Sequence, residues 1–213
     1  IYTLSLHDAL PIFKLYTFDM NIGGCHKESR FLVSSYREQS PELTARYKSD
    51  RVLRIDAALE LDANGAITGE DNALMYYCSL PLIGAENQLD APVIINSPDF
   101  EPDEERQSLL LNDAAWNEEK GTITETGINQ MIFKKSVALF SALANHAVSS
   151  NAGNLHLLAR GLKGVKSHEK TNREWFKSNV IEGYRSILLS LDLVKSLDGS
   201  GMKKVGNTIF IKG

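Results

Sequence analysis

The clearest alternation of apolar and polar positions runs through "VLRIDAALELDANG", residues 52–65. Leu53, Ile55, Ala57, Leu59 and Leu61 fall on one side of an extended chain, and Arg54, Asp56, Ala58 and Glu60 on the other. A period of two predicts a half-buried strand. After Asn64-Gly65, "ALMYYCSLPL" (73–82) reads as its antiparallel partner, ending near Pro81, which has no amide proton for a ladder. "PVIIN" (92–96) predicts a third strand. Upstream, "FKLYTFDM" (13–20) reads as a strand ending at the bend "NIGG", and "SRFLVSSY" (29–36) is a second β-forming run. "PELTARYKSD" then predicts a short helix, with Ser40 as cap, Pro41 at the first helical position and Glu42 beside the positive helix end.

Beyond Asn96 the period changes. Asp99, Glu101, Asp103, Glu104 and Glu105 precede Arg106 and "QSLLLN". Acids massed where a helix N-terminus favours negative charge predict a helix at 103–112. In "TETGINQMIFKKSVALFSALANHAVS" (124–149), Phe133, Val137, Phe140, Ala144 and Ala147 recur at steps of four and three, the stripe of one long helix. "TNREWFKSNVIEGYRSILLSLDLVKSL" (171–197) repeats this with Phe176, Val180, Tyr184, Ile187, Leu191 and Val194, and Thr171 with Glu174 has capping-box spacing. Gly206-Asn207 in "KKVGNTIFIKG" predicts a late hairpin.

Strands with one short helix, followed by helices, define the α+β class: a mixed or antiparallel sheet with short helices, then an α-helical region. A boundary in "NEEKGT" would divide the chain into an α+β region, 14–118, and a helical region with a C-terminal hairpin, 119–213. The same stretch could be a surface loop of one domain.

Composition narrows the classes further. With 213 residues, 43 % of them apolar, the chain can bury an ordinary core, and a net charge of −4 with both signs interleaved exerts no overall pull on nucleic acid or membranes. No run approaches the ~18 apolar residues of a membrane span, so a soluble cytoplasmic protein is expected. Cys25 and Cys78 lack paired spacing and stand near no His cluster, which predicts reduced thiols rather than a disulfide framework or a zinc site. The opening "IYTLSLHDALPIF" has no initiator Met, no basic n-region and no clean apolar h-region. It fails as a secretory signal and resembles translated sequencing-adaptor text, so residues 1–13, His7 and Asp8 included, are set aside, and the gene is expected to begin further upstream.

"YYCSLPLIGAENQLDAPVIINSPDFEPDEERQSLLLN" carries Leu80, Pro81 and Leu82, then Pro92, Val93, Ile94, Ile95 and Asn96, then Phe100 and Arg106. This series resembles the corresponding stretch of the sacsin-type ATP-binding proteins, relatives of the ninety-kilodalton heat-shock chaperone in the GHKL ATPase superfamily. Trp116-Asn117 in "AAWNEE" resembles the Trp-Asn that follows it there. The resemblance spans about residues 15–195, and its specific part is 79–117. It implies a transducer or middle region, ribosomal-protein-S5-domain-2-like, that docks on an upstream nucleotide-binding domain and reports its state to client-binding parts. The signatures of that upstream domain are an Asn-bearing helix, an Asp-x-Gly-x-Gly turn and a Gly-rich lid. They do not occur here, since Gly23-Gly24 and "GLKG" (161–164) lack the required acid and flanks. ATP and Mg are therefore expected in a longer parent ATPase, which could act as a homodimer, and not in this chain alone.

Within the resemblance, Arg106 is implied as a catalytic contact to the γ-phosphate, reaching in trans to the missing domain, and Gln107 as its polar neighbour. A guanidinium can grip phosphate in bidentate fashion and offset charge in phosphoryl transfer. The residues alone allow a plainer reading, a solvated Arg106 paired with Glu101 or Asp103 and worth about 0.2–1 kcal/mol. The crowded acids also mimic a metal site, although such acids usually face water.

Two further functions enter as alternatives. The long amphipathic helices could make a non-catalytic interaction module. Arg160, Lys163, Lys166, Lys170 and Arg173, beside Trp175 and Phe176, could hold a nucleic-acid backbone in a defence or repair component. The competing reading makes Trp175 and Phe176 the start of a helix's apolar face. His146 and His156 are too widely spaced for a helical metal pair, and Ser149-Ser150 lies in no nucleophile elbow.

Overall fold

The computed structural model describes residues 13–22, 25–68, 75–85, 91–159, 162, 168–196 and 201–207. It is an α+β fold. Its framework is a three-strand meander of β1 (Phe13–Ile22), β2 (Cys25–Gln39) and β3 (Val52–Leu61), all antiparallel, with Leu32 opposite Leu59 and Leu15 opposite Leu32. The alternation predicted for β3 is present: Leu53, Ile55, Ala57 and Leu59 are buried, while Arg54 is exposed and Asp56 and Glu60 are half-buried. Asp56 is held on the far face by a bidentate bond from Arg37 (2.7 and 2.9 Å) and by the Ser35 hydroxyl.

Between β2 and β3 stands α1 (Pro41–Tyr47), capped as expected, with the Ser40 hydroxyl accepting the Leu43 amide and Lys48 closing the helix in the left-handed region. The sheet continues past β3 through β6 (Ile94–Asn96) to β4 (Tyr76–Cys78) and β5 (Leu80–Pro81), in the order β1-β2-β3-β6-β4-β5. The expected β3 partner is thereby corrected. The 76–78 segment lies parallel to β6, and β6 takes the antiparallel place beside β3. Ile95 is fully buried, so of these two three-residue strands the one carrying adjacent isoleucines takes the inner place, between β3 and β4.

A second correction concerns 103–112, which is not helical. It forms turns and isolated bridges, Pro102 opposite Leu109 and Leu111 opposite Thr171, because Asp103 binds its own loop's amides in place of a helix's first turn.

After a surface hairpin of β7 (Trp116–Asn117) and β8 (Thr122–Ile123), the Thr124 hydroxyl caps α2 (Glu125–Ser149) by accepting the Gly127 amide at 3.0 Å. Helix α2 lies across β2 and β3. The last helix, α3, starts at Arg173–Phe176, passes through a π-helical turn at Lys177–Ile181 and ends in Glu182–Ser190. Its cap is Asn172, which accepts the Trp175 amide at 3.0 Å, and not the expected Thr171-Glu174 box, since Thr171 is engaged in the bridge to Leu111. Leu191 turns extended, so Val194 belongs to β9 (Asp192–Lys195) and not to the helix stripe. The final hairpin pairs β9 with β10 (Met202–Lys204). Gly206-Asn207 lies in a 3-10 turn after it, and residues 208–213 fall outside the described residues.

The core is one cluster of buried side chains drawn from both sides of the β7–β8 hairpin. At its centre the Phe133 ring meets Tyr76 at 5.8 Å, Phe100 at 5.6 Å and Phe176 at 5.1 Å, joining sheet, loop, α2 and α3. Further along, Phe140 meets Tyr184 at 5.0 Å, and the Tyr184 hydroxyl lies 2.9 Å from Ser136 Oγ. Each fully buried ring contributes about 1.5–3 kcal/mol relative to exposure. The stripes of α2 and α3 are thus spent inside the chain. At the opposite border β1 is, among the described residues, an edge strand, with Leu15 59 % and Phe18 51 % exposed.

Candidate functional site

Most of the motif residues between 80 and 106 build structure. Leu82, Val93, Ile95 and Phe100 are buried core, and Asn96 Oδ1 accepts the Ser79 amide at 3.2 Å, fixing the turn between β4 and β5 with Ser79 in the left-handed region. Arg106 is exposed, at the tip of the loop that returns from Phe100 to Leu111. It too is left-handed, with φ of 56°, which costs an ordinary L residue about 1–2 kcal/mol. Something must hold it there.

The base of the loop is closed by Asn129, a fully buried residue of α2. Its Oδ1 accepts the Glu101 amide at 2.8 Å, and its Nδ2 donates to the carbonyls of Glu101 at 2.7 Å and Leu110 at 2.9 Å. The tip is closed by Asp103. Its Oδ1 accepts the amides of Gln107 (2.9 Å) and Ser108 (3.3 Å), its Oδ2 accepts the Ser108 hydroxyl (2.6 Å), and its carbonyl accepts the Arg106 amide (3.0 Å). On the outgoing arm the Leu111 amide donates to the Lys170 carbonyl at 2.8 Å, and the Asn172 amide to the Leu111 carbonyl at 3.2 Å, tying the loop to the approach to α3. On the sheet side, Gly84 (φ 111°) packs so closely that a Cβ there would stand 2.9 Å from the Gln107 carbonyl.

This geometry explains an arginine among five carboxylates that pairs with none of them among the described residues. Asp99 accepts the Arg54 amide at 3.1 Å, Glu101 accepts the Tyr47 hydroxyl, Asp103 is saturated by its own loop, and Glu104 and Glu105 are exposed. The expected pairing of Arg106 with Glu101 or Asp103 is replaced by one bond, from Nη2 to the Cys78 carbonyl at 3.3 Å. Burial pulls the Asp103 carboxyl upward, but the Ser108 hydroxyl, the two amides and nearby Lys170 leave it below its ordinary value. Tyr47 is pushed up by burial and by the bond to Glu101.

Gln107 is exposed beside Arg106, with its backbone wedged against Gly84. Of the basic patch, Arg173 is exposed and Lys170 is half-buried on the loop's outgoing side, and Arg160, Lys163 and Lys166 lie outside the described residues. Trp175 is half-buried with the Lys134 ammonium 5.6 Å over its ring, and Phe176 is core, so both begin the apolar face of α3. His146 stacks on Phe13 at 4.6 Å, and His156 is exposed on a 3-10 turn. Cys78 is a free thiol directed at the carbonyls of Pro98 and Phe100. Among the described residues, no three His, Cys, Asp or Glu side chains converge as a cation site, and no helix is long and apolar enough to cross a membrane.

One determinant was missed in the sequence, Asn129, and Asp103 was expected to pair with the Arg106 guanidinium where it accepts the loop's own amides. Asn129 carried a signal, since it stands four residues before Phe133 on the apolar stripe of α2, where an amide needs partners. Comparison with family models, with curated proteins and with solved structures returns no match.

Proposed function

We propose that this chain is the transducer-like region of a sacsin-like or heat-shock-chaperone-like cytoplasmic ATPase. It would couple ATP binding in an upstream domain to conformational change, with Arg106 as the γ-phosphate contact. One observation carries the reading: an exposed guanidinium, bound to no carboxylate among the described residues, on a loop braced at base and tip. Such a group is available to an incoming anion at little cost in ordering. The described residues offer phosphate this cation and no cradle, so ATP and Mg would be held by the upstream domain. The chain contributes the arginine and its rigid mount. The interaction-module alternative loses its motivation, because the apolar stripes of α2 and α3 are buried against each other and the sheet.

The test is steady-state ATP hydrolysis by the longer protein that carries the upstream domain. Arg106→Ala should lower kcat by roughly 10³-fold or more, as loss of an arginine finger does, and Arg106→Lys should restore little of it. Parental hydrolysis in Arg106→Ala, or upstream DNA encoding no Asn-bearing helix with an Asp-x-Gly-x-Gly turn, would sink the proposal.

A further inference from the structure

A cation that stabilises a developing charge must be held before the charge appears. We infer that Asp103 is the positioning residue for Arg106, a role that rests on the phosphate-contact reading above. Asp103 touches no nucleotide in this scheme and acts only through the loop.

Three successive backbone amides, those of Arg106, Gln107 and Ser108, end on Asp103, the first on its carbonyl and the other two on Oδ1. The Asp103 amide in turn donates to the Ser108 carbonyl at 2.9 Å, so the six residues from Asp103 to Ser108 form a closed ring around one carboxylate. These bonds hold Arg106 in a backbone region that an arginine would otherwise leave. They also consume the carboxylate. An Asp three residues before an Arg would ordinarily compete for its guanidinium, and here both Asp103 oxygens are already satisfied by donors other than Arg106. The same residue therefore fixes the cation and leaves it unneutralised. Because Asn129 anchors the loop's base to α2 and Gly84 backs Gln107, the tip has little freedom except through Asp103.

Asp103→Ala removes every acceptor on this side chain, whereas Asp103→Asn keeps an oxygen for the amides of Gln107 and Ser108. Hydrogen exchange on the chain itself is the first measurement. In Asp103→Ala, protection of the Gln107 and Ser108 amides should fall on the order of ten- to a hundredfold, with Asp103→Asn retaining most of it and the exposed Glu105→Gln retaining all. Hydrolysis by the longer protein is the second. Asp103→Ala should lower kcat with little change in the KM for ATP, and Asp103→Asn should recover it. Three results overturn the assignment. If Asp103→Ala hydrolyses at the parental rate while Arg106→Ala is impaired, the positioning role falls and the phosphate contact stands. If Asp103→Asn keeps amide protection but fails in hydrolysis, the charge matters and not the geometry. If Arg106→Ala is itself without effect, both fall together.

Discussion

Replacing Asn129 with alanine should destabilise the fold by about 3–4 kcal/mol. The side chain is fully buried and makes three bonds to backbone groups, at 2.7, 2.8 and 2.9 Å, on the two arms of the Arg106 loop. Each bond contributes about 1–1.5 kcal/mol, and alanine regains about 0.5 kcal/mol in helix propensity. Against a typical stability of about 5–15 kcal/mol this is a large fraction. With an m-value of about 2 kcal/mol/M in urea, the midpoint should fall by roughly 1.5–2 M. Asn129→Asp sharpens the test. It keeps the acceptor for the Glu101 amide but turns a carboxylate toward two carbonyls, so its defect should be at least as large at neutral pH and should shrink on acidification, when the acid can donate. Urea denaturation followed by circular dichroism measures both, and limited trypsinolysis after Arg106 reports loop opening directly. A midpoint for Asn129→Ala within about 0.2 M of the parent would refute the reasoning. The loop would then be held by something other than the buried amide.

Two further outcomes follow from the same region. Gly84→Ala combines a positive φ with a Cβ 2.9 Å from the Gln107 carbonyl and should cost about 2–3 kcal/mol, whereas Gly121→Ala, also at positive φ but with nothing within 4 Å, should cost about 1 kcal/mol. At this size each kcal/mol lowers Tm by about 2–4 °C, which calorimetry resolves. The carboxyls of Asp103 and Glu125 lie below their ordinary values, Glu125 first through its own backbone amide and then through Arg46 against the opposing effect of burial. Their contribution to stability is complete above the unfolded values near pH 4 and is lost as pH falls through the lower folded values. Asp103→Asn should therefore show a flatter loss of urea midpoint between pH 5 and pH 3 than the parent.

What could be read from the sequence divides by the length of the pattern. The ten residues of β3 and the twenty-five of α2 repeat their period often enough to declare themselves, and Ser40-Pro41 marks its helix chemically. Strands of three residues carry no pairing information, which is why the parallel entry of β4 beside β6 escaped. The loop at 103–112 failed for a specific reason. Carboxylates in series suit a helix start, but one of them, Asp103, captured the amides that a helix would have needed. Three consecutive leucines carried no counter-signal, and the alternation, Leu109 and Leu111 buried with Leu110 half-buried, exists only in the structure. The solvated state of Arg106 was legible, but its bond to the Cys78 carbonyl in place of a carboxylate was not, because it depends on where Cys78, Asn129 and Lys170 arrive from distant parts of the chain.

In the sheet order β1 comes first, and Arg106 binds the Cys78 carbonyl of β4, the fifth strand of six. Four interstrand steps of about 4.8 Å separate the two strands by roughly 19 Å. A single side chain or small molecule spans only a fraction of that width. Among the described residues no strand pairs with the outer side of β1, where Leu15 and Phe18 are exposed, so a strand added there would stand clear of Arg106. A strand laid along β1 and a group approaching Arg106 need not compete for space.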